Sequence, residues 1–192
     1  MKIVILGAGA LGTVLGAHLA RAGEDVTLLA RGQRATYLQA HGATITGLVD
    51  FTVPVHVITD PQQVQNADVL MVTVKTYDMD AALASVKHRD VGSVLSIQNG
   101  VLKDEQLAQT FGWEKVLGAM VFTGAEVLPT GTVRFTLNQG VYLGEVPAGT
   151  SARVQTLAET LEHVGIVAHV TSSIQSLEWS KYVSWACSNQ WC

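Results

Sequence analysis

The sequence predicts an α/β protein built on a mostly parallel, doubly wound sheet with an antiparallel edge. Short apolar runs alternate along the chain with segments whose apolar residues recur at helical spacing. Residues 67–74 form a nearly continuous apolar run, which is typical of a central strand in a parallel sheet. Residues 123–145 instead contain successive short β runs separated by turn residues, and these predict the antiparallel edge.

The chain begins with a strand, a glycine-rich turn and a helix. Residues 3–6 are apolar and predict a buried strand, and apolar residues then recur at helical spacing over 11–22. A second strand is predicted over 26–30 and a helix over 34–40. Gly42 suits the left-handed end of that helix. These elements make a βαβ start.

The same alternation continues along the rest of the chain. The remaining predicted elements are β structure over 43–58, strands over 67–74, 93–97, 116–121, 132–137, 141–143 and 166–170, and helices over 78–86, 104–110, 151–163 and 173–192. We therefore expect one domain over residues 1–170 and the first helix of an all-α domain over 171–192. That helix carries Trp179, Tyr182, Trp185 and Trp191, whose rings need a covering partner.

Charge and cysteine content narrow the function classes. The net charge is −4, from 12 Lys and Arg against 16 Asp and Glu, and the basic residues are scattered, so we expect no nucleic-acid partner. The first apolar run is too short for a signal core or a membrane span, so we expect a cytoplasmic protein without a membrane partner. Cys187, Cys192 and six dispersed histidines lack disulfide or metal-ligand spacing, and we expect no metal.

A glycine motif lies between the first strand and the first helix. Its first glycine turns the chain, the second admits a pyrophosphate, and the third lets the helix pack on the strand. The start of the helix offers unpaired N–H groups to phosphates. This context predicts a Rossmann-type dinucleotide-binding domain rather than a purely structural turn. The predicted cofactor contacts are Gly7, Ala8, Gly9, Ala10, Leu11 and Gly12.

The residue after the second strand indicates which dinucleotide is bound. An Asp or Glu at this point would hold the ribose hydroxyls of NAD, but the sequence has Arg31, with Arg34 close by. A guanidinium pairs well with a 2′-phosphate. We therefore predict NADPH as the cofactor, with a solvated loop arginine as the alternative interpretation of Arg31.

Polar residues follow two other predicted strands. Lys75 comes after the strand over 67–74, and Asn99 comes after the strand over 93–97. Ligands bind at the carboxyl ends of parallel strands, so both side chains can face the nicotinamide half of the cofactor and the substrate. A solvated lysine and a plain Asn-Gly turn are the alternative interpretations.

The last predicted helix places a lysine beside an aromatic ring. Lys181 and Trp185 lie on one face at helical spacing, together with Ser188 and Asn189. A partly desolvated ammonium can donate a proton to a ketone oxygen that becomes an alcohol. The alternative is a lysine whose stem covers aromatic surface while its charge stays in water.

Together these motifs resemble the ketopantoate (2-dehydropantoate) reductase family. The resemblance covers nearly the whole chain in order and spacing. It rests on Gly7-Ala-Gly-Ala-Leu-Gly12, Leu-Leu-Ala-Arg31, Val-Lys75, Gln98-Asn99-Gly100, Gly144-Glu145 and Trp179-x-Lys181.

The resemblance implies an NADP-dependent oxidoreductase that reduces 2-dehydropantoate, a small 2-keto acid, to (R)-pantoate in pantothenate and coenzyme A biosynthesis. Lys181 would be the general acid and would contact the substrate together with Asn189. Asn99 would assist catalysis and hold both cofactor and substrate. Lys75 and a loop at Gly124-Ala125 would contact the cofactor. Whether the assembly is a monomer or a homodimer is left open.

Two departures from the family pattern leave alternatives open. Trp185 stands four residues after Lys181, where the family has a substrate-binding asparagine, so another keto acid or an imine is an alternative substrate. The family also has a large helical C-terminal domain, of which we expect only the first helix here. A non-catalytic NADP(H)-binding module is therefore a further hypothesis.

Overall fold

The computed structural model describes residues 1–188, which form ten strands and six α-helices. The strands are β1 Lys2–Leu6, β2 Asp25–Leu29, β3 Ala43–Gly47, β4 Phe51–Val53, β5 His56–Ile58, β6 Ala67–Val72, β7 Val91–Ser96, β8 Leu117–Val127, β9 Val133–Glu145 and β10 Ala168–Val170. The helices are α1 Ala10–Arg21, α2 Gly32–His41, α3 Met79–Val86, α4 Lys103–Phe111, α5 Ala152–His163 and α6 Ile174–Ser188. The predicted alternation of strands and helices is confirmed.

The first sheet is parallel throughout and has the strand order β5-β2-β1-β6-β7. The chain leaves β1 toward β2 and later returns to β6 on the other side of β1. This reversal opens a crevice at the carboxyl ends of β1 and β6, where ligands bind in doubly wound proteins. The strands are buried on both faces, since Ile3 and Ile5 belong to one apolar layer and Val4 and Leu6 to the other.

The second sheet has the order β10-β9-β3-β4, with β8 antiparallel to β9. Helix α1 contacts β2 of the first sheet and β3, β8 and β9 of the second, so it lies between the two sheets. The N-terminus of α1 therefore opens at the junction of the sheets. The glycine turn occupies this position.

The antiparallel part differs from the sequence-based prediction in two details. It meets the edge of the first sheet at a single bridge between Val94 and Val116, and from there it builds the second sheet. The strands predicted over 132–137 and 141–143 are one long strand, β9, because pairing with β8 carries it through the predicted turn at Gly140. Pairing over a long partner strand outweighs the local turn signal.

Helix α6 follows β10 and packs against β8 and β9. Ile174 faces this contact and Glu178 faces Lys103 of α4, and both are buried, whereas Trp179, Tyr182 and Trp185 are about half exposed. Among residues 1–188, no helix combines the length and the apolar character needed to cross a membrane.

Candidate active site

The glycine turn has the geometry that the motif predicts. Gly7 has φ of 110°, which favours glycine, and a Cβ on Gly12 would lie 2.1 Å from the Gly7 carbonyl oxygen. Gly9 is the N-cap of α1, and no side chain caps the helix there. A Cβ on Gly9 would meet no atom within 4 Å. The first turn of α1 thus presents backbone N–H groups to an open space.

This open space is a cleft of about 890 Å³, which we call the glycine cleft. The turn, the ends of β2, β6 and β7, the middle of β8 and helix α6 all contribute to its walls. Its lining includes the predicted residues Gly7, Ala8, Gly9, Ala10, Leu11, Arg31, Lys75, Asn99, Ala125 and Lys181. Gly12 lies beneath the turn, and Asn189 lies outside the described residues. The structure therefore brings together the predicted side chains that it describes.

The resemblance implied a loop at Gly124-Ala125, but these residues lie inside β8. The β8–β9 register shifts between Phe122 and Thr123 and again between Gly124 and Ala125. Such irregularities bend a strand and interrupt its ladder of hydrogen bonds. The extra residues at these two shifts, Gln139 and Thr136, belong to β9, and residues 121–125 of β8 form one wall of the glycine cleft.

The two arginines near the end of β2 have different roles. Arg34 donates from Nε to the Ala8 carbonyl oxygen and from Nη2 to Thr13 Oγ1, both at 3.0 Å, and its Nη1 donates to the Gly131 carbonyl oxygen. Burial lowers the pKa of Arg34. Its guanidinium is thus used to tie the glycine turn to the β8–β9 hairpin. Arg31 is largely exposed at the cleft mouth, where it remains able to meet a ligand.

Lys181 reaches from α6 to the ends of two strands. Its Nζ donates to Asn99 Oδ1 at 2.9 Å and to the Val121 carbonyl oxygen at 2.6 Å. Val121 can accept this bond because β8 pairs with β9 along one edge and leaves its other edge open at this point. The lysine therefore joins α6, β8 and the loop after β7 at one point.

The surroundings of Lys181 favour the loss of its proton. Burial is the main cause that lowers the pKa of Lys181, and the positive charge of Lys103 lowers it further.

The Nζ atom of Lys181 lies 5.2 Å from the centre of the Phe122 ring and 5.8 Å from that of Trp185. With two N–H bonds held by protein oxygens, the third can donate to a ligand.

A second cleft of about 920 Å³, which we call the α6 cleft, lies beside the first. Leu102, Trp179 and Tyr182 line it, and it shares Asn99 and Lys181 with the glycine cleft. The ammonium of Lys181 is therefore at the boundary between two ligand-sized spaces. Such a boundary is where a group from one ligand can react with a group from another.

Sequence reasoning missed two side chains in these walls. Gln98 donates from Nε2 to the Val74 carbonyl oxygen at 2.7 Å, which fastens the end of β7 to the end of β6. Thr123 has a buried Oγ1 with no hydrogen-bond partner among residues 1–188, and it lines the glycine cleft. The Gln98-Asn99-Gly100 motif pointed to the first of them, whereas nothing in the sequence marks Thr123.

Three buried charged residues, which we call the Lys103 cluster, support the floor of the α6 cleft. Lys103 Nζ contacts Asp104 Oδ1 at 3.2 Å on its own helix and Glu178 Oε1 on α6. The exposed fractions of Lys103, Asp104 and Glu178 are 3%, 2% and 6%. Since Glu178 and Lys181 are separated by three residues, this cluster anchors the helical turn that carries Lys181.

The Lys103 cluster predicts a pH-dependent stability. Burial raises the pKa of Glu178 from 4.5 to about 7, against the opposing effect of Lys103. The folded state then holds a proton that the unfolded state releases, so this contribution is present below the unfolded pKa and is lost as the pH rises through about 7. We expect the ionisation of Glu178 to lower the free energy of unfolding by on the order of 2 kcal/mol between about pH 4.5 and pH 7.

Chemical denaturation at a series of pH values measures this effect as the difference between wild type and Glu178→Gln. The matched control is Glu159→Gln on the exposed face of α5. The free energy of unfolding of Glu178→Gln should not decrease between about pH 4.5 and pH 7. The profile of Glu159→Gln should follow wild type. Parallel profiles for wild type and Glu178→Gln would contradict this assignment.

Comparison with known proteins assigns the family. The model of the family "Ketopantoate reductase PanE/ApbA" matches residues 3–148. The 2-dehydropantoate 2-reductases of Pyrococcus abyssi and Archaeoglobus fulgidus are each 34% identical to this chain, of which the matches cover 95%. The chain spans 60% of the length of each of these relatives.

A solved structure gives the same result. The crystal structure of 2-dehydropantoate 2-reductase from Geobacter metallireducens superposes with a TM-score of 0.87 at 29% identity, covering 94% of this chain and 61% of that one. The family match extends over more than half of the chain, and the matched region contains the glycine turn, Lys75, Asn99 and strand β8. The chain belongs to the ketopantoate reductase family PanE/ApbA.

Proposed function

We propose that this chain binds NADPH in the glycine cleft and reduces the ketone of a 2-keto acid, with 2-dehydropantoate as the first substrate to test. The observation that carries the proposal is the position of Lys181. Its ammonium is hydrogen-bonded to Asn99 at the boundary between the glycine cleft and the α6 cleft. The names of the relatives support the choice of substrate.

The walls of the glycine cleft fit a dinucleotide phosphate. The Cβ position of Gly9 is open, so the backbone can be approached closely, and the first turn of α1 has no side-chain cap. Thr123 Oγ1 provides a buried polar atom that needs a partner. Arg31 would hold the 2′-phosphate, and Lys75 would contact the cofactor near the end of β6.

When bound in the glycine cleft, NADPH would supply the hydride that the carbonyl carbon of the keto acid accepts. Lys181 donates its Nζ proton to the carbonyl oxygen, which becomes a hydroxyl group, and the neutral amine regains a proton from water. The lowered pKa of Lys181 makes this proton easier to transfer. Asn99 holds the lysine in place through its Oδ1 atom, and the positive charge stabilises the oxygen as it becomes negative.

The substrate is tested by following NADPH oxidation with 2-dehydropantoate and with a panel of other 2-keto acids and imines. We expect the highest kcat/KM with 2-dehydropantoate. A clear preference for another compound would instead support the alternative substrate suggested by Trp185, which lines both clefts beside Lys181. NADPH binding without turnover on any compound would favour a non-catalytic NADP(H)-binding module.

Substitution by alanine is expected to affect cofactor binding at Gly9 and stability at Gly12. The added methyl group of Gly9→Ala enters the open cleft, so stability should change little while NADPH affinity falls by about tenfold or more. In Gly12→Ala the methyl group meets the Gly7 carbonyl oxygen and Thr73 Oγ1, which should destabilise the fold by about 2–3 kcal/mol. Calorimetric titration and urea denaturation of both variants separate these effects. Equal NADPH affinity for Gly9→Ala and wild type would contradict the placement of the pyrophosphate.

Several expectations from the sequence stay predictions. They are a domain boundary near residue 170, the absence of a nucleic-acid partner and a cytoplasmic location, and the choice between monomer and homodimer stays open. A contact of Asn189 with the substrate belongs with them. Size-exclusion chromatography with light scattering would measure the assembly.

A further inference from the structure

A pair of opposite charges lies at the mouth of the glycine cleft, away from Lys181. Arg31 follows β2, and Asn99, the partner of Lys181, follows β7. Three strand spacings, or about 14 Å, separate β2 from β7 in the order β2-β1-β6-β7. This geometry assigns the mouth to the adenosine half of a dinucleotide whose nicotinamide half reaches Lys181.

Asp78 is the negative member of this pair. It ends the short 3₁₀ turn Thr76–Asp78 that follows β6, and its Oδ1 lies 3.6 Å from Arg31 Nη2. Both side chains line the glycine cleft. Asp78 precedes α3, but its side chain makes no capping hydrogen bond to that helix. The carboxylate lies within ion-pair distance of the guanidinium that would hold a 2′-phosphate.

Arg34 also lies near this mouth, but its guanidinium does not neutralise the charge of Asp78. That guanidinium is held by Ala8, Thr13 and Gly131. Lys75 lies on the same segment as Asp78 and is exposed in the cleft. Arg31 is the cation whose ion pair with Asp78 the structure shows, so its guanidinium would serve both this carboxylate and an incoming phosphate.

We propose that Asp78 sets the choice between NADPH and NADH, an inference that rests on the proposed cofactor function of the glycine cleft. A carboxylate beside Arg31 repels the 2′-phosphate of NADPH and competes with it for the guanidinium. The same carboxylate can accept a hydrogen bond from the 2′-hydroxyl of NADH, which is how acidic residues recognise NAD in related folds. The wild-type chain should therefore bind both cofactors, with a smaller preference for NADPH than Arg31 alone would produce.

The test measures the dissociation constants of NADPH and NADH by calorimetry for wild type, Asp78→Asn and Asp78→Gln. The matched control is Asp90→Asn. Asp90 directly precedes β7 and forms an ion pair of the same length, 3.6 Å, with Lys115. Circular dichroism checks that each variant is folded. Loss of the carboxylate should strengthen NADPH binding by about threefold to tenfold and should weaken NADH binding. The change that the Asp78 variants make in the ratio of the two dissociation constants should be smaller at high salt than at low salt. Asp90→Asn should match wild type.

The two affinities distinguish the possible failures. An unchanged NADH-to-NADPH ratio in both Asp78 variants, with NADPH still bound by wild type, would overturn the role of Asp78 and leave the proposed function intact. Equal weakening of both cofactors would overturn it as well, because a purely structural residue acts in that way. Wild type that binds neither nucleotide would overturn the proposed function and this inference together.

Discussion

Lys181→Met is expected to lower kcat/KM for reduction of the keto acid by about 10²–10⁴-fold, the usual contribution of a positioned general acid. Methionine keeps an unbranched stem beside Phe122 and Trp185 but removes the proton that the alkoxide needs. NADPH affinity should change little, because the glycine turn and Arg31 remain. Steady-state kinetics and a separate NADPH titration measure the two effects.

The pH profile gives an independent check on the same lysine. Lys181 must be protonated to act, so the wild-type rate should fall as the pH rises through the pKa of Lys181, which burial moves below the ordinary lysine value. The residual rate of Lys181→Met should lack this decrease. Lys87→Met, at the exposed end of α3, serves as the control and should behave as wild type. A full rate for Lys181→Met would exclude the proposed mechanism.

Lys103→Met is expected to lower the free energy of unfolding by about 3–5 kcal/mol, the range for a buried ion pair that loses one partner. The substitution leaves the carboxylate of Asp104 buried without its cation and removes the charge that opposes protonation of Glu178. Asp104 Oδ2 already lacks a hydrogen-bond partner among the described residues. Urea denaturation at neutral pH measures the loss.

Lys115→Met is the matched control for this experiment. Lys115 pairs with Asp90 at 3.6 Å, but the pair is exposed, and such pairs contribute about 0–1 kcal/mol. Replacement of the whole Lys103 cluster by apolar residues of similar volume should recover much of the lost stability. A loss below about 1 kcal/mol in Lys103→Met would show that the cluster is hydrated and does not anchor α6.

The sequence predicts most of the fold because its signals are local. The apolar runs of β1 and β6 are short and continuous, and Gly7 and Gly42 mark the turns that end their elements with positive φ. The exception is β9, where a turn signal around Gly140 is outweighed by pairing with β8. Such pairing depends on a partner strand that a local pattern does not contain.

The site could be predicted only in part. Strand order explains why Lys75 and Asn99 meet at one edge of the sheet, since both follow parallel strands. The contact of Lys181 with Asn99 spans 82 residues, and that of Lys103 with Glu178 spans 75. The family resemblance implied that Lys181 and Asn99 act in one site but not that they touch, and no local pattern links Lys103 with Glu178. Tertiary packing of α6 decides both contacts.

Transfer of deuterium from NADPH to the product would show directly that the chain reduces the ketone. The experiment incubates the chain with 2-dehydropantoate and NADPH that carries deuterium at the transferring position of the nicotinamide, and analyses the product by mass spectrometry. We expect pantoate that carries deuterium at C2, formed about 10²–10⁴-fold more slowly by Lys181→Met. Bound NADPH with no deuterated pantoate, under conditions in which the chain is folded, would contradict the proposed reduction.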